Sequence, residues 1–244
     1  MNNKLTTFRN HLKYLSIFGA LLALSGCAAI VGLDGDPSKQ ASAPDYRVGD
    51  RWVYHVEEGY LARLSWDETW EITRIDATGV TVQVTSKGDL INETRTEQWP
   101  QPGLVSQGAL MNTETRQFTT PYQRFRFPMK AGDSWSQWLE TVDAKDHMRP
   151  PDFVTRAWGW EKVKTPVGEA DALKLNQLIT FDDEDPWRYS TRASYYFWYA
   201  PAVNNIVRAE KRASFIQKGD GRGAIEIQNQ LETVELRSYT RGKQ

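Results

Sequence analysis

The chain of 244 residues sets 30 Lys and Arg against 31 Asp and Glu, and carries 10 Trp, 10 Tyr, 9 Phe and one Cys. Charges of both signs are scattered along it, which excludes the clustered basic face of a nucleic-acid-binding protein. A lone cysteine excludes an internal disulfide, so the aromatics, burying roughly 150–250 Å² each, must supply the core of one large domain or two small ones.

The first element reads as a secretory signal. Lys4, Arg9 and Lys13 form a basic n-region and Tyr14 to Leu24 an apolar h-region of about ten residues, too short for the ~20 residues that span a bilayer. It ends in Leu24-Ser25-Gly26-Cys27, which resembles the lipobox of bacterial lipoproteins. That resemblance implies that residues 1–26 are removed as a signal peptide and that Cys27 becomes the lipid-modified first residue. Buried acyl methylenes, worth about 0.8 kcal/mol each, would then hold the chain to a membrane. Ala28 stands where enterobacterial lipoproteins retained in the inner membrane tend to carry Asp, so the resemblance points to the outer membrane, with the domain facing the periplasm. With three cations removed, 27 cations face 31 anions and the mature formal charge falls to −4. Residues 27–44 comprise the anchor and an Ala, Gly, Ser, Asp and Pro-rich stretch that reads as a flexible tether.

Residues 45–240 read as an all-β domain, predominantly antiparallel, forming a curved sheet, open barrel or sandwich. Trp52, Tyr54 and Val56 alternate with Val53 and His55; Trp66, Glu68, Trp70 and Ile72 share a phase; Val80, Val82 and Val84 alternate with Thr81, Gln83 and Thr85. Leu173, Leu175, Ile179 and Phe181 keep one phase, whereas Ile225, Ile227 and Leu231 give way to the opposite phase at Val234 and Leu236, which predicts a bulge near Glu232 or Thr233. Turns are expected at Lys87-Gly88-Asp89, Asn204-Asn205 and Lys218 to Gly221.

A repeat runs through this domain and suggests two related halves, about 45–125 and 126–240. Gly49-Asp50-Arg51-Trp52 recurs as Gly132-Asp133-Ser134-Trp135 and Trp70-Glu71 as Trp160-Glu161, while Trp99 and Trp198 each end a later strand. Gly, Asp and Trp here suit a structural device: a positive-φ turn, a cap for backbone N–H groups and a core side chain that starts a strand.

Gly49 to Tyr54, Phe127 to Trp135, Glu161 to Gly168 and Trp198-Tyr199-Ala200-Pro201 together resemble a group of uncharacterised envelope lipoproteins with β-rich, TapB-like domains. The resemblance implies a fold and no established activity. In architecture the chain is also similar, more loosely, to the half-barrel lipoprotein carriers that enclose acyl chains.

Catalytic candidates are few. His11 leaves with the signal; His55 reads as a strand histidine and His147 as a loop residue, without metal-ligand spacing. Asp182-Asp183-Glu184-Asp185 reads as a solvated hairpin tip rather than a calcium loop, and Lys218 to Gly223 does not match a phosphate loop. No cofactor, metal or catalytic residue is expected. The run Tyr195, Tyr196, Phe197, Trp198 and Tyr199 presents aromatics on both faces and reads either as a central covered strand or as a ligand-facing surface. The expected function is a non-catalytic binding or envelope-assembly module, membrane-tethered and free of nucleic acid, meeting an envelope protein or a hydrophobic ligand. A carrier or sensor of such a ligand and a carboxylate-based envelope hydrolase are the alternatives.

Overall fold

The computed structural model describes residues 38–59, 64–110, 115–142, 152–181, 188–217 and 226–243. The signal, the lipobox with Cys27, the tether to residue 37, His147, the acidic run at 182–185 and the turn at 218–223 lie outside the described residues.

Fourteen strands form in these segments: β1 (Gln40–Ala41), β2 (Arg51–Glu58), β3 (Leu64–Asp76), β4 (Gly79–Gly88), β5 (Asn92–Trp99), β6 (Leu104–Ala109), β7 (Thr115–Gln123), β8 (Met129–Lys130), β9 (Ser134–Trp138), β10 (Asp152–Thr165), β11 (Gly168–Phe181), β12 (Arg188–Ala200), β13 (Asn205–Gln217) and β14 (Glu226–Thr240). Twelve build one antiparallel sheet in the order β7-β6-β5-β4-β3-β2-β14-β13-β12-β11-β10-β9, and β1 pairs with β8. The sheet curls until its edges touch. Phe118 bridges Thr141, Thr119 N donates to Glu140 O at 3.0 Å and Val142 N to Gln117 O at 2.9 Å. The all-β expectation holds as a nearly closed barrel. Among the described residues no helix is long and apolar enough to cross a membrane.

The alternating residues point as their period demands. Trp52, Tyr54 and Val56 are buried inside, as are Val80, Val82 and Val84. One end of the barrel is plugged with aromatics: Trp52 stacks on Tyr239 at 5.6 Å, Trp70 meets Trp99 at 5.9 Å, and Phe125 and Phe127 pack on Tyr199 at 5.4 and 5.2 Å.

Topologically the barrel is two six-strand meanders, β2 to β7 and β9 to β14. The first strand of each lies against the last strand of the other. Both open on the same turn. Gly49 and Gly132 take φ of +86° and +90°, a region open to glycine without steric cost. Gly49 N donates to Ile72 O while Ile72 N donates to Asp50 O, and Gly132 and Ala157 exchange the same two bonds at Asp133. The carboxylates of Asp50 and Asp133 accept from Arg47 N and Lys130 N, each at 2.9 Å. A bulge follows both times, at Thr73 and at Trp158.

These registers correct three sequence expectations. Trp52 faces Trp70 but Trp135 faces Thr155, so Thr155 is the counterpart of Trp70; Trp160-Glu161 lies beyond the bulge, in a longer hairpin. Val80 pairs with Trp99 and Leu173 with Tyr199, which makes Tyr199, not Trp198, the counterpart of Trp99. In a Trp-rich chain similar dipeptides arise on either face, and only the register says which one a side chain occupies. The bulge expected near Glu232 or Thr233 lies instead at Arg237, where the β14–β2 register shifts between Leu236 and Ser238; the β13–β14 ladder is uninterrupted. The apparent slip arises because Gln230, Glu232 and Val234 face inward and Leu231 points the other way.

Candidate functional site

Away from the aromatic plug the barrel is hollow, with a cavity of about 800 Å³. It lies where β2 ends, β3 begins and the β4–β5 turn sits, and Glu58, Trp66 and Leu90 belong to its lining. Two strands at matched positions of the two meanders, β5 and β12, stand six places apart in the twelve-strand order and so face each other across the interior.

The β5 side is charged. Glu97 is 1% exposed and Arg95, Glu68 and Arg124 only slightly more. Arg95 forms a two-pronged pair with Glu68 at 3.1 and 3.3 Å and places its Nε 3.5 Å from Glu97, while Arg124 reaches Glu97 at 3.4 Å. Trp70 Nε1 and Ser86 Oγ donate to Glu68, and Trp99 Nε1 donates to Glu97 at 2.9 Å. Arg124 also lies over the Trp70 and Trp99 rings at 5.5 and 5.8 Å. Burial works against the charge on Glu68, yet Arg95, with help from Lys211 and the Trp70 indole, holds its carboxyl below the usual range. Such a cluster is tolerated inside because every charge has a partner.

The β12 side is aromatic. Tyr195 and Phe197 line the cavity together with Ile206 and Val234. Tyr195 Oη donates to Leu110 O at 3.1 Å, which fixes the ring across the interior. Between the two sides, Glu232 on β14 stands directly opposite Glu58 on β2 and Lys211 on β13. Lys211 pairs with Glu232. Partial burial and then the Glu232 charge push the Glu58 carboxyl up, against the pull of Lys211.

The aromatic run of β12 is therefore divided. Tyr195 and Phe197 face the cavity, Tyr199 faces inward at the plugged end, and Tyr196 and Trp198 point outward. On the outer face Trp198 is 6% exposed: its Nε1 donates to Glu161 at 2.9 Å and its ring is covered by Lys174 and Arg208 at 4.9 and 5.1 Å. Gly49, Asp50, Trp52, Gly132, Asp133 and Trp135 sit in the two opening turns and line no part of the cavity. His55 bonds Asp67 at 2.9 Å on the outer face, as a strand histidine would. Among the described residues no group of three or more His, Cys, Asp or Glu is placed to hold a metal.

Glu68, Arg95, Glu97 and Arg124 were not singled out by the sequence reading. In β5 the inward residues Arg95, Glu97 and Trp99 alternate with Thr94, Thr96 and Gln98, so neither phase looks apolar. Trp99 alone marked the inner face.

No family model matches the chain and no curated protein matches it. Among solved structures it is similar to a predicted exported protein with a YmcC-like fold from Bacteroides fragilis, at 13% identity over 82% of this chain and 100% of that one, with a TM-score of 0.44. A predicted lipoprotein from Parabacteroides distasonis is 12% identical over 83% and 100% of the two chains, with a TM-score of 0.45. The hypothetical lipoprotein YmcC from Escherichia coli is 10% identical over 77% and 83%, with a TM-score of 0.38.

Proposed function

We propose that the chain is a cell-envelope lipoprotein, held through Cys27 to the outer membrane on its periplasmic side, whose barrel binds a small hydrophobic or amphipathic ligand without transforming it. The anchor rests on Leu24 to Cys27. Binding rests on one observation, the cavity of about 800 Å³ with Tyr195 and Phe197 on its wall. Its size falls within the roughly 300–1,000 Å³ of small-molecule sites, and a closed aromatic core would have left no such space. Exposed Trp138, Val154 and Leu178 on the outer face of β9 to β11 support a companion role, contact with an envelope protein.

Photolabelling of the full chain in cell membranes with an iodophenyl diazirine, a small apolar probe, tests the binding reading. Label on Tyr195 or Phe197 is the expected result; label confined to the outer face would remove it. Mass spectrometry of the mature N-terminus tests the anchor, which fails if the chain begins elsewhere with an unmodified thiol. Carboxylate chemistry needs an acid held protonated, and Glu58 is the cavity carboxyl raised above its ordinary value. Turnover of peptidoglycan or phospholipid that disappears in Glu58→Gln would replace the binding reading with the hydrolase.

A further inference from the structure

Toward the mouth, the inward residues of five neighbouring strands form one row. Leu64, Glu58, Glu232, Lys211 and Tyr195 are successive register partners on β3, β2, β14, β13 and β12, and all line the cavity. One step deeper the same strands present Trp66, Val56, Val234, Ala209 and Phe197, again partner to partner, and this second row is apolar throughout. An occupant on this side of the barrel meets charge at its outer end and apolar surface behind it.

The charge of the outer row does not balance. Lys211 pairs with Glu232 and lies 5.8 Å from the centre of the Tyr195 ring. Glu58 stands directly opposite Glu232 and has no ion pair among the described residues; like charges so placed destabilise a sheet. The lining as a whole has the same sign, with six carboxylates against four cations among the described residues. Deeper inside, Arg95 and Arg124 are matched by Glu68 and Glu97. The surplus therefore lies at the mouth, where Asp89 and Glu93 add to Glu58 and Glu232 against Lys211 and Arg116.

Trp66 stands beside this surplus. Its register partner is Val56, which makes it a diagonal neighbour of Glu58 and puts Glu58 within reach of the ring. Trp70, Trp99, Trp160 and Trp198 are each covered by an Arg or Lys, and among the described residues Trp66 is not. A carboxylate beside an indole ring is a setting that holds an ammonium group. A separate sign of an occupant lies at the floor: Asn205, 4% exposed and part of the lining, has an Nδ2 with no hydrogen-bond partner.

Resting on the binding reading above, we infer that the ligand is a cationic amphiphile, with a protonated amine or quaternary ammonium group between Glu58 and Trp66 and an apolar body running inward along Val56, Val234 and Phe197. An anionic head group at the same place would be repelled by Glu58 and Glu232.

The test uses two photoreactive probes of equal chain length, diazirine-bearing hexadecylamine and diazirine-bearing palmitate, with the iodophenyl diazirine as uncharged reference, on the full chain in membranes at neutral pH. The amine should label Tyr195 or Phe197 more strongly than palmitate does, with competition by unlabelled hexadecylamine and not by palmitate. Glu58→Gln, which keeps the shape of the side chain and removes its charge, should lower amine labelling relative to iodophenyl labelling about tenfold, and Trp66→Leu about threefold. Glu57→Gln removes the same charge from the outer face, beside His55, and should leave that ratio unchanged, which separates a seat for the cation from a general loss of negative charge. Palmitate labelling at or above that of the amine, or an amine ratio that Glu58→Gln does not move, would overturn the cationic ligand and leave the binding reading intact as long as the iodophenyl probe labels the interior. Without interior labelling by that probe, both fall.

Discussion

The two meanders share an opening turn, a bulge and a strand order, yet at matched inward positions they carry opposite chemistry. Arg95, Glu97 and Trp99 on β5 correspond to Tyr195, Phe197 and Tyr199 on β12, and Glu68 on β3 corresponds to Phe153 on β10. Backbone pairing fixes where a side chain points and leaves its character open. One half has used that freedom to line a wall with ion pairs, the other to line it with rings. The two seams differ as well: β2 and β14 share a ladder from Glu58 to Arg51 with one bulge at Arg237. Between β7 and β9, Pro121 supplies no N–H, and the side chain of Gln137 serves in place of a ladder, donating to Pro121 O and accepting from Gln123 N, each at 2.8 Å.

The largest expected effect separates the two walls. Glu97→Leu removes the carboxylate that Arg95 and Arg124 share, leaving buried guanidinium charge, and should cost about 5 kcal/mol in urea unfolding, the upper end for a broken buried pair. Making the charged wall resemble its counterpart, with Glu68→Leu, Arg95→Met, Glu97→Leu and Arg124→Met together, leaves no buried charge without a partner and should recover most of that loss. A quadruple variant no better than the single one would mean that the ions stabilise in their own right.

The opening turns offer the next contrast. Trp52 is fully buried and donates to Val203 O at 2.7 Å; Trp135 is 7% exposed and donates to Gln123 O at 3.1 Å. Trp52→Ala should cost about 4 kcal/mol and Trp135→Ala about 3 kcal/mol. Asp50 also accepts from Gly242 N and Arg241 Nη1, at 2.8 and 3.0 Å, bonds that Asp133 lacks a counterpart for among the described contacts. Asp50→Ala is therefore expected to lose about 2 to 3 kcal/mol against about 1 kcal/mol for Asp133→Ala. Equal losses would remove the C-terminal segment from any bracing role. At the weaker seam, Gln137→Ala should cost about 1 kcal/mol and speed amide exchange at Gln123, whose N–H loses the acceptor that Gln137 Oε1 supplies.

The sequence made the strands and the opening turns legible because period two and Gly-Asp-x-Trp are local signals. Trp52, Tyr54 and the Val80–Val84 run point where alternation says they should. The cavity was not legible. Inward Arg95 and Glu97 read as ordinary surface charge, since nothing local to β5 tells that Glu68, two strands away, and Arg124, beyond β7, will meet them. Inward Gln230 and Glu232 were read as a bulge for the same reason: polar residues on an inner face break the apolar phase wherever a barrel is hollow. The aromatic run of β12 announced importance without saying which face was inside, and the answer separated Tyr195 and Phe197 from Tyr196 and Trp198.

The smallest effect concerns two glutamates on neighbouring strands of the same meander. Half-buried Glu58 is raised above 4.5, its ordinary value, first by burial and then by Glu232. Ionised Glu58 thus disfavours the folded state at neutral pH, and the penalty is absent below about 4.5, where the group is protonated folded or unfolded. Glu68 has the opposite sign: its folded value lies below 4.5, so it contributes stability above that pH and loses the contribution as pH falls through the folded value. Glu58→Gln should then stabilise at neutral pH by less than about 1 kcal/mol, the solvent near a half-exposed group screening the rest, and should have no effect at acid pH. Urea unfolding from about pH 4 to about pH 7 reads both signs. A Glu58→Gln variant that is less stable at neutral pH would show that Lys211, and not burial, governs that side of the cavity.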